Sequence, residues 1–161
     1  MSVAAFLIFL RESIMIQVRR RRYAVNPHYQ RDYTREQIDE ILAKIKMCIA
    51  DGRYTISLNQ RRRENIEFIQ TYNIRTARQK EILMQIQAED FCHALQNKKP
   101  GYEHEVLYVF VPQVELFRAD GHGEMVDIYT KFNLMEQPSG NHTVVISFHK
   151  RNKPIEYLFR S

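Results

Sequence analysis

The sequence predicts an α+β domain in which N-terminal helices pack on a mainly antiparallel β-sheet. Three observations carry that reading. Apolar residues recur at helical spacing between residues 34 and 90, apolar and polar residues alternate from Val106 onward, and turn signals divide the alternating part into hairpin-sized pieces. The 161 residues suffice for one domain with a core and not for two large ones. Residues 1–32 read as a basic arm and residues 33–161 as the domain.

In the arm, Val3 to Leu10 is an apolar run too short to cross a bilayer, and Arg11-Glu12 ends it with charge. Met15 offers a second start, so the residues before it read either as a start-site extension or as a short docked helix. Arg19 to Arg22 are four consecutive arginines, either a phosphate contact or a solvated tail.

The domain opens on a well-marked helix. Thr34 and Gln37 have capping-box spacing, Tyr33 and Ile38 form a hydrophobic staple, and Ile38, Ile41, Leu42, Ile45, Cys48 and Ile49 form one stripe that Gly52 terminates. Arg53 to Ser57 reads as a short strand. Asn59 then caps a second helix that carries Arg61, Arg62 and Arg63 in its first turns, where their charge opposes the helix dipole. Thr76 and Gln79 repeat the capping-box spacing for a third helix, buried through Ile82, Leu83 and Ile86 and running on into Glu89 to His93. Asn97 to Gly101 closes this half with a basic turn.

Val106 to Val111 is a continuous apolar run, suited to a strand covered on both faces, and Val114 to Phe117 continues it beyond Pro112. Asp120-Gly121 signals the turn into Val126 to Leu134, and Pro138-Ser139-Gly140 the turn into Thr143 to His149. Lys150 to Pro154 is a second basic turn, and Ile155 to Phe159 a last extended segment.

The last hairpin carries the chemistry. Val126, Ile128, Phe132 and Leu134 share one parity, with Asp127, Tyr129, Lys131 and Asn133 on the other. In the partner strand Val144, Ile146 and Phe148 form the expected apolar set, against Val145, Ser147 and His149. A register that buries both apolar sets sets Tyr129 opposite His149 and Lys131 opposite Ser147. The plain alternative is the solvated outer face of a sheet.

A net charge of +5 favours anionic partners, nucleic acid or acidic protein. Two cysteines without paired spacing indicate neither a disulfide framework nor a zinc knuckle and fit a reducing, cytoplasmic setting. The phosphate-loop, nucleophile-elbow and zinc-protease motifs are absent, and the scattered histidines have no metal-ligand spacing, so neither a cofactor nor a metal is expected. A Tyr/Lys/Ser/His patch beside arginines is instead compatible with metal-independent phosphodiester cleavage. Histidine moves protons near neutrality, and lysine and arginine hold the phosphorane charge.

Several strings in order, Ala50-Asp-Gly-Arg53, Glu89-Asp-Phe91, Ile128-Tyr-Thr-Lys131 and Val145-Ile-Ser-Phe-His149, resemble the MqsR family of bacterial toxin-antitoxin ribonucleases over roughly Thr34 to Phe159. The resemblance implies a RelE-like fold, cleavage of messenger RNA, free or on the ribosome, and neutralisation by a cognate antitoxin protein. By position it implies catalytic roles for Tyr129 and Lys131. His149 stands where the family has a lysine after Ser-Phe, Cys92-His93 where it has a lysine after Asp-Phe, and the family's strand glutamine falls near Val109. The expected site is therefore His149 as acid or base, Tyr129 as proton donor or phosphate ligand, Lys131 on the phosphorane and His93 as a second proton-transfer group. Arg61, Arg62, Arg63, Lys98 and Lys150 are expected to grip the RNA backbone, with no membrane involved. Two rivals from other classes are a non-catalytic RNA- or protein-binding module on the same fold, and an inhibitor that turns its basic face to an acidic partner.

Overall fold

The computed structural model describes Val3, Asn26 and residues 28–160. Met15 and Arg19 to Arg22 lie outside the described residues. Among the described residues the architecture is α+β, with three helices covering one face of a mixed six-stranded sheet.

Helix α1, Arg35–Ala50, starts as its sequence requires, with the Thr34 hydroxyl accepting from the Gln37 amide and the Gln37 side chain accepting from the Thr34 amide. Its stripe of Ile38, Leu42, Ile45, Cys48 and Ile49 is buried, and Gly52 leaves the helix at φ 72°, a left-handed turn natural to glycine. Strand β1, Tyr54–Ile56, follows. Asn59 caps a single 3₁₀ turn, Gln60–Arg62, which leads into α2, Arg63–Thr71.

Helix α3, Thr76–Met84, departs from expectation at both ends. Arg75 is the N-cap and Thr76 lies inside the helix without a capping bond, because the Gln79 side chain turns back to donate to the Ile74 carbonyl. At the far end the helix stops at Met84. Ala88–Asp90 is a 3₁₀ turn and Phe91–Gln96 is strand β2, so His93 lies in the sheet and not just after a helix.

Strand β3, Val106–Phe110, pairs antiparallel with β2. Strand β4, Gln113–Phe117, continues β3 in unbroken register along the thirteen-residue β5, Gly123–Met135: Phe110 faces Thr130 and Gln113 faces Asp127. Pro112 has no N–H for the ladder, yet its carbonyl accepts from the Ile128 amide, so the break is confined to one residue. Strand β6, His142–Lys150, lies between β5 and β1, antiparallel to the first and parallel to the second. The sheet runs β1-β6-β5-β3-β2, with β4 attached to β5.

The hairpin of β5 and β6 has the expected pairs, Tyr129 with His149 and Lys131 with Ser147. Past Lys131 the register shifts by one, because a bulge leaves Ile146 without a partner of its own. The expected face of β6 is corrected there. Val145 and Phe148 are fully buried while Val144 and Ile146 are half-buried. Buried Asn65 of α2 holds the irregular segment, donating to the Ile146 and Ser57 carbonyls and accepting from the Phe148 amide.

The helical face of the sheet presents Phe91, Ala94, Phe110, Phe132, Val145 and Phe148 to the helices. Cys92, Val109, Val111 and Tyr129 form a smaller cluster against the C-terminal segment of Ile155 and Tyr157. That segment is fixed by Tyr157 Oη donating to the Val111 carbonyl, the Leu158 amide donating to the Phe91 carbonyl, and Arg160 pairing with Asp90.

Candidate active site

Register alone brings the site residues to one face. His93 of β2 pairs with Val109 of β3, Val109 with Lys131 of β5, and Lys131 with Ser147 of β6, and cross-strand partners point the same way. Two residues before Lys131, Tyr129 lies opposite His149 on that face. The rings of Tyr129 and His149 stack with centroids 5.4 Å apart. The Nζ atoms of Lys153 and Lys131 lie 5.2 and 5.9 Å from the centre of the Tyr129 ring.

Lys153 reaches that place because Arg151 spends its guanidinium on the turn: it donates to Asp127 at 3.0 Å and to the Lys153 carbonyl at 3.0 Å. Burial depresses the Lys131 ammonium below the ordinary lysine range, and the Arg62 and Lys153 charges depress it further. Among the described residues, no carboxylate lies within salt-bridge distance of Arg62, Lys131 or Lys153, although Arg31, Arg35, Arg53, Arg78, Arg118, Arg151 and Arg160 all have one.

His149 keeps 12% of its side chain exposed. Its Nε2 lies 3.2 Å from Glu64 at the start of α2, and its Nδ1 2.9 Å from the Lys150 carbonyl. A groove of about 250 Å³, lined by Phe68, Tyr72 and Arg118 among others, opens beside it.

No family, characterised protein or solved structure matches this chain. The site is therefore interpreted from its own geometry.

Tyr129 and His93 are more enclosed than alternation implies. Tyr129 is 3% exposed, and burial, with Tyr29 and Cys92 nearby, raises its phenol well above the tyrosine range and keeps it protonated. His93 is 1% exposed and stacked flat on Tyr29, with centroids 3.6 Å apart. Burial lowers it to about 4, helped by the charges of Lys153, Arg31 and Lys131, so it is neutral near pH 7. The Tyr129 hydroxyl and His93 Nε2 are both buried without a hydrogen-bond partner among the described residues. Cys92 beside them is a buried thiol pushed up to about 12 by burial, inert as a nucleophile.

The expected backbone grip contracts. Of the three arginines, Arg62 is near enough to Lys131 to depress its ionisation; Arg61 is exposed, and Arg63 lines a separate groove with Leu58, Gln60 and Ile66. Lys98 stands in the turn beyond β2, roughly 15 Å along the strand direction from His93 at ~3.3 Å per residue. Lys150 lies opposite Ile128, whose side chain enters the helical core, so its alternation sends it to the other face of the sheet. Lys153, Tyr29, Arg31 and Glu64 join the site without having been expected. Lys153 was legible only as part of a basic turn, and Tyr29 and Arg31 only as part of a tether.

Proposed function

We propose that the chain is an endoribonuclease toxin that cleaves messenger RNA without a metal ion and is neutralised by a cognate antitoxin protein. The observation that carries the reading is half-buried Lys131 with Lys153 at the same Tyr129 ring and Arg62 near enough to depress its ionisation, none with a carboxylate within salt-bridge distance among the described residues, beside His149. Like charges held close destabilise a fold, and such a cluster is relieved by an anion. The ordered strings shared with the MqsR family point to the same chemistry, and a RelE-like fold and a cytoplasmic site of action belong to this reading.

In the proposed reaction the RNA 2′-hydroxyl gives up its proton and its oxygen bonds to the adjacent phosphorus. The phosphorane charge is met by Lys131, Arg62 and Lys153 and by a hydrogen bond from the Tyr129 hydroxyl. The bond to the 5′-oxygen then breaks and that oxygen takes a proton, leaving a 2′,3′-cyclic phosphate and a 5′-hydroxyl. His149 is assigned to proton transfer. Neutral His93 is assigned to contact with the substrate rather than to carrying charge.

The test is incubation of EDTA-treated protein with a defined single-stranded RNA, with and without ribosomes, comparing wild type with His149→Ala and Lys131→Ala. Scission that leaves cyclic-phosphate ends and is lost in both variants supports the reading. Tight binding that leaves the RNA intact in both settings replaces it with a non-catalytic RNA-binding module.

A further inference from the structure

The segment before α1 lies across the site. The Gln30 amide donates to the Ala94 carbonyl at 2.9 Å and the Ala94 amide to the Gln30 carbonyl at 2.8 Å, so one residue of the arm pairs with the edge of β2. Arg31 donates to the carbonyls of Glu156 and Tyr157 at 3.0 and 3.3 Å, tying the arm to the C-terminal segment. Just before these two anchors, the Tyr29 ring lies on His93 with planes 5° apart. Three features make this more than packing. His93 Nε2 and the Tyr129 hydroxyl, each more than nine-tenths buried, have no partner on the face that the arm helps to close. The unpaired cations Lys131 and Lys153 lie close enough to His93 to depress its ionisation. Among the described residues the strap 28–32 is held by one bridge residue and one guanidinium, so it can open without unfolding the sheet.

We propose that the His93 ring is a stacking subsite for a nucleobase of single-stranded RNA, and that the chain's own Tyr29 occupies it until the substrate displaces the strap of residues 28–32. The inference rests on the RNA-directed reading above and extends it to recognition and self-regulation. A nucleobase laid on His93 carries its phosphate toward Lys131 and Lys153. Aromatic stacking of this kind tolerates any base, so the subsite holds the strand in place without dictating its sequence.

The experiment uses the whole chain and a short 2′-O-methylated single-stranded RNA, which binds without being cut. Tyr29→Ala removes the occupant and raises the fraction of open site, so its affinity for this probe should be about tenfold tighter than that of wild type. A thiol reagent supplies an independent readout. Cys48 is fully buried on the inner face of α1, so in Tyr29→Ala it should stay protected and report an intact body. Adding His93→Leu to Tyr29→Ala should remove the gain in affinity, and His93→Phe, which keeps a flat ring, should retain most of it. Equal or weaker probe binding by Tyr29→Ala, with Cys48 protected, overturns the subsite whether or not the wild type cleaves RNA. Tighter binding by Tyr29→Ala in a protein that never cleaves keeps the subsite and removes the catalytic reading.

Discussion

Tyr129→Phe should move stability and activity in opposite directions. The substitution deletes one oxygen and leaves the ring, so the stack on His149 and the contacts with Lys131 and Lys153 persist. In the folded protein that oxygen is 3% exposed as part of its residue and makes no hydrogen bond, whereas in the unfolded chain water solvates it. A buried unpaired hydroxyl costs about 1–3 kcal/mol, which Phe recovers. For a chain of this length each kcal/mol moves the thermal midpoint by about 2–4 °C, so the variant should melt roughly 2–12 °C higher. If the same hydroxyl donates to the phosphorane, its loss should slow single-turnover cleavage by about 10²–10³-fold. Thermal unfolding at pH 7 and single-turnover cleavage of one RNA measure the two effects side by side. A lower melting point would show that the hydroxyl is already bonded within the fold, and unchanged cleavage would remove it from the reacting phosphate; either result refutes the reasoning at a different step.

Three further outcomes follow from the same geometry. His93 has its folded-state ionisation depressed to about 4, so the unfolded chain binds the proton more readily. The stabilisation is complete above about pH 7 and is lost as the pH falls from the ordinary histidine range through about 4, by roughly 2–3 kcal/mol. Urea midpoints across that window should therefore slope for the wild type and flatten for His93→Phe. Asn65→Leu strips three hydrogen bonds from the bulged segment and leaves two carbonyls and an amide unmet, for an expected loss of about 3 kcal/mol by urea titration. Lys131→Ala removes a charge that burial and two cations already disfavour. It should leave the fold as stable or more so while weakening RNA binding and lowering the steepness of its salt dependence by about one phosphate contact.

The first helix was legible because its signals are local: Thr34 and Gln37 bond as their spacing demands, and the stripe from Ile38 to Ile49 is buried as written. The Tyr129–His149 and Lys131–Ser147 pairs were legible because alternation in β5 and the turn around Gly140 fix the register between them. The bulge at Ile146 was not. Val144, Val145 and Ile146 are all β-branched and apolar, so alternation cannot say which of them drops out, and the choice is made by Asn65, some eighty positions earlier in the sequence. Strand β2 was hidden for a related reason: Ile82, Leu83, Ile86 and Asp90 keep a helical rhythm up to the residue before Phe91, and only pairing with β3 marks the change. The enclosure of Tyr129 and His93 was equally out of reach, since it depends on two chain ends meeting through Arg31 and the Glu156 and Tyr157 carbonyls.

The position of β6 has a consequence for the order of events during synthesis. Strand β1 is complete by residue 56 but its neighbour in the sheet begins at residue 142, so it waits unpaired while the intervening helices and four strands emerge. Non-local pairing of this kind closes slowly and late. Lys131 is synthesised before Ser147, His149 and Lys153, which complete its surroundings, and the ring of Tyr129 has neither stack nor cover until then. A nascent chain stalled anywhere before β6 carries the helices and most of the sheet but no assembled site. If the protein attacks messenger RNA, a ribosome making it is thus spared from its own product until β6 and Lys153 have emerged.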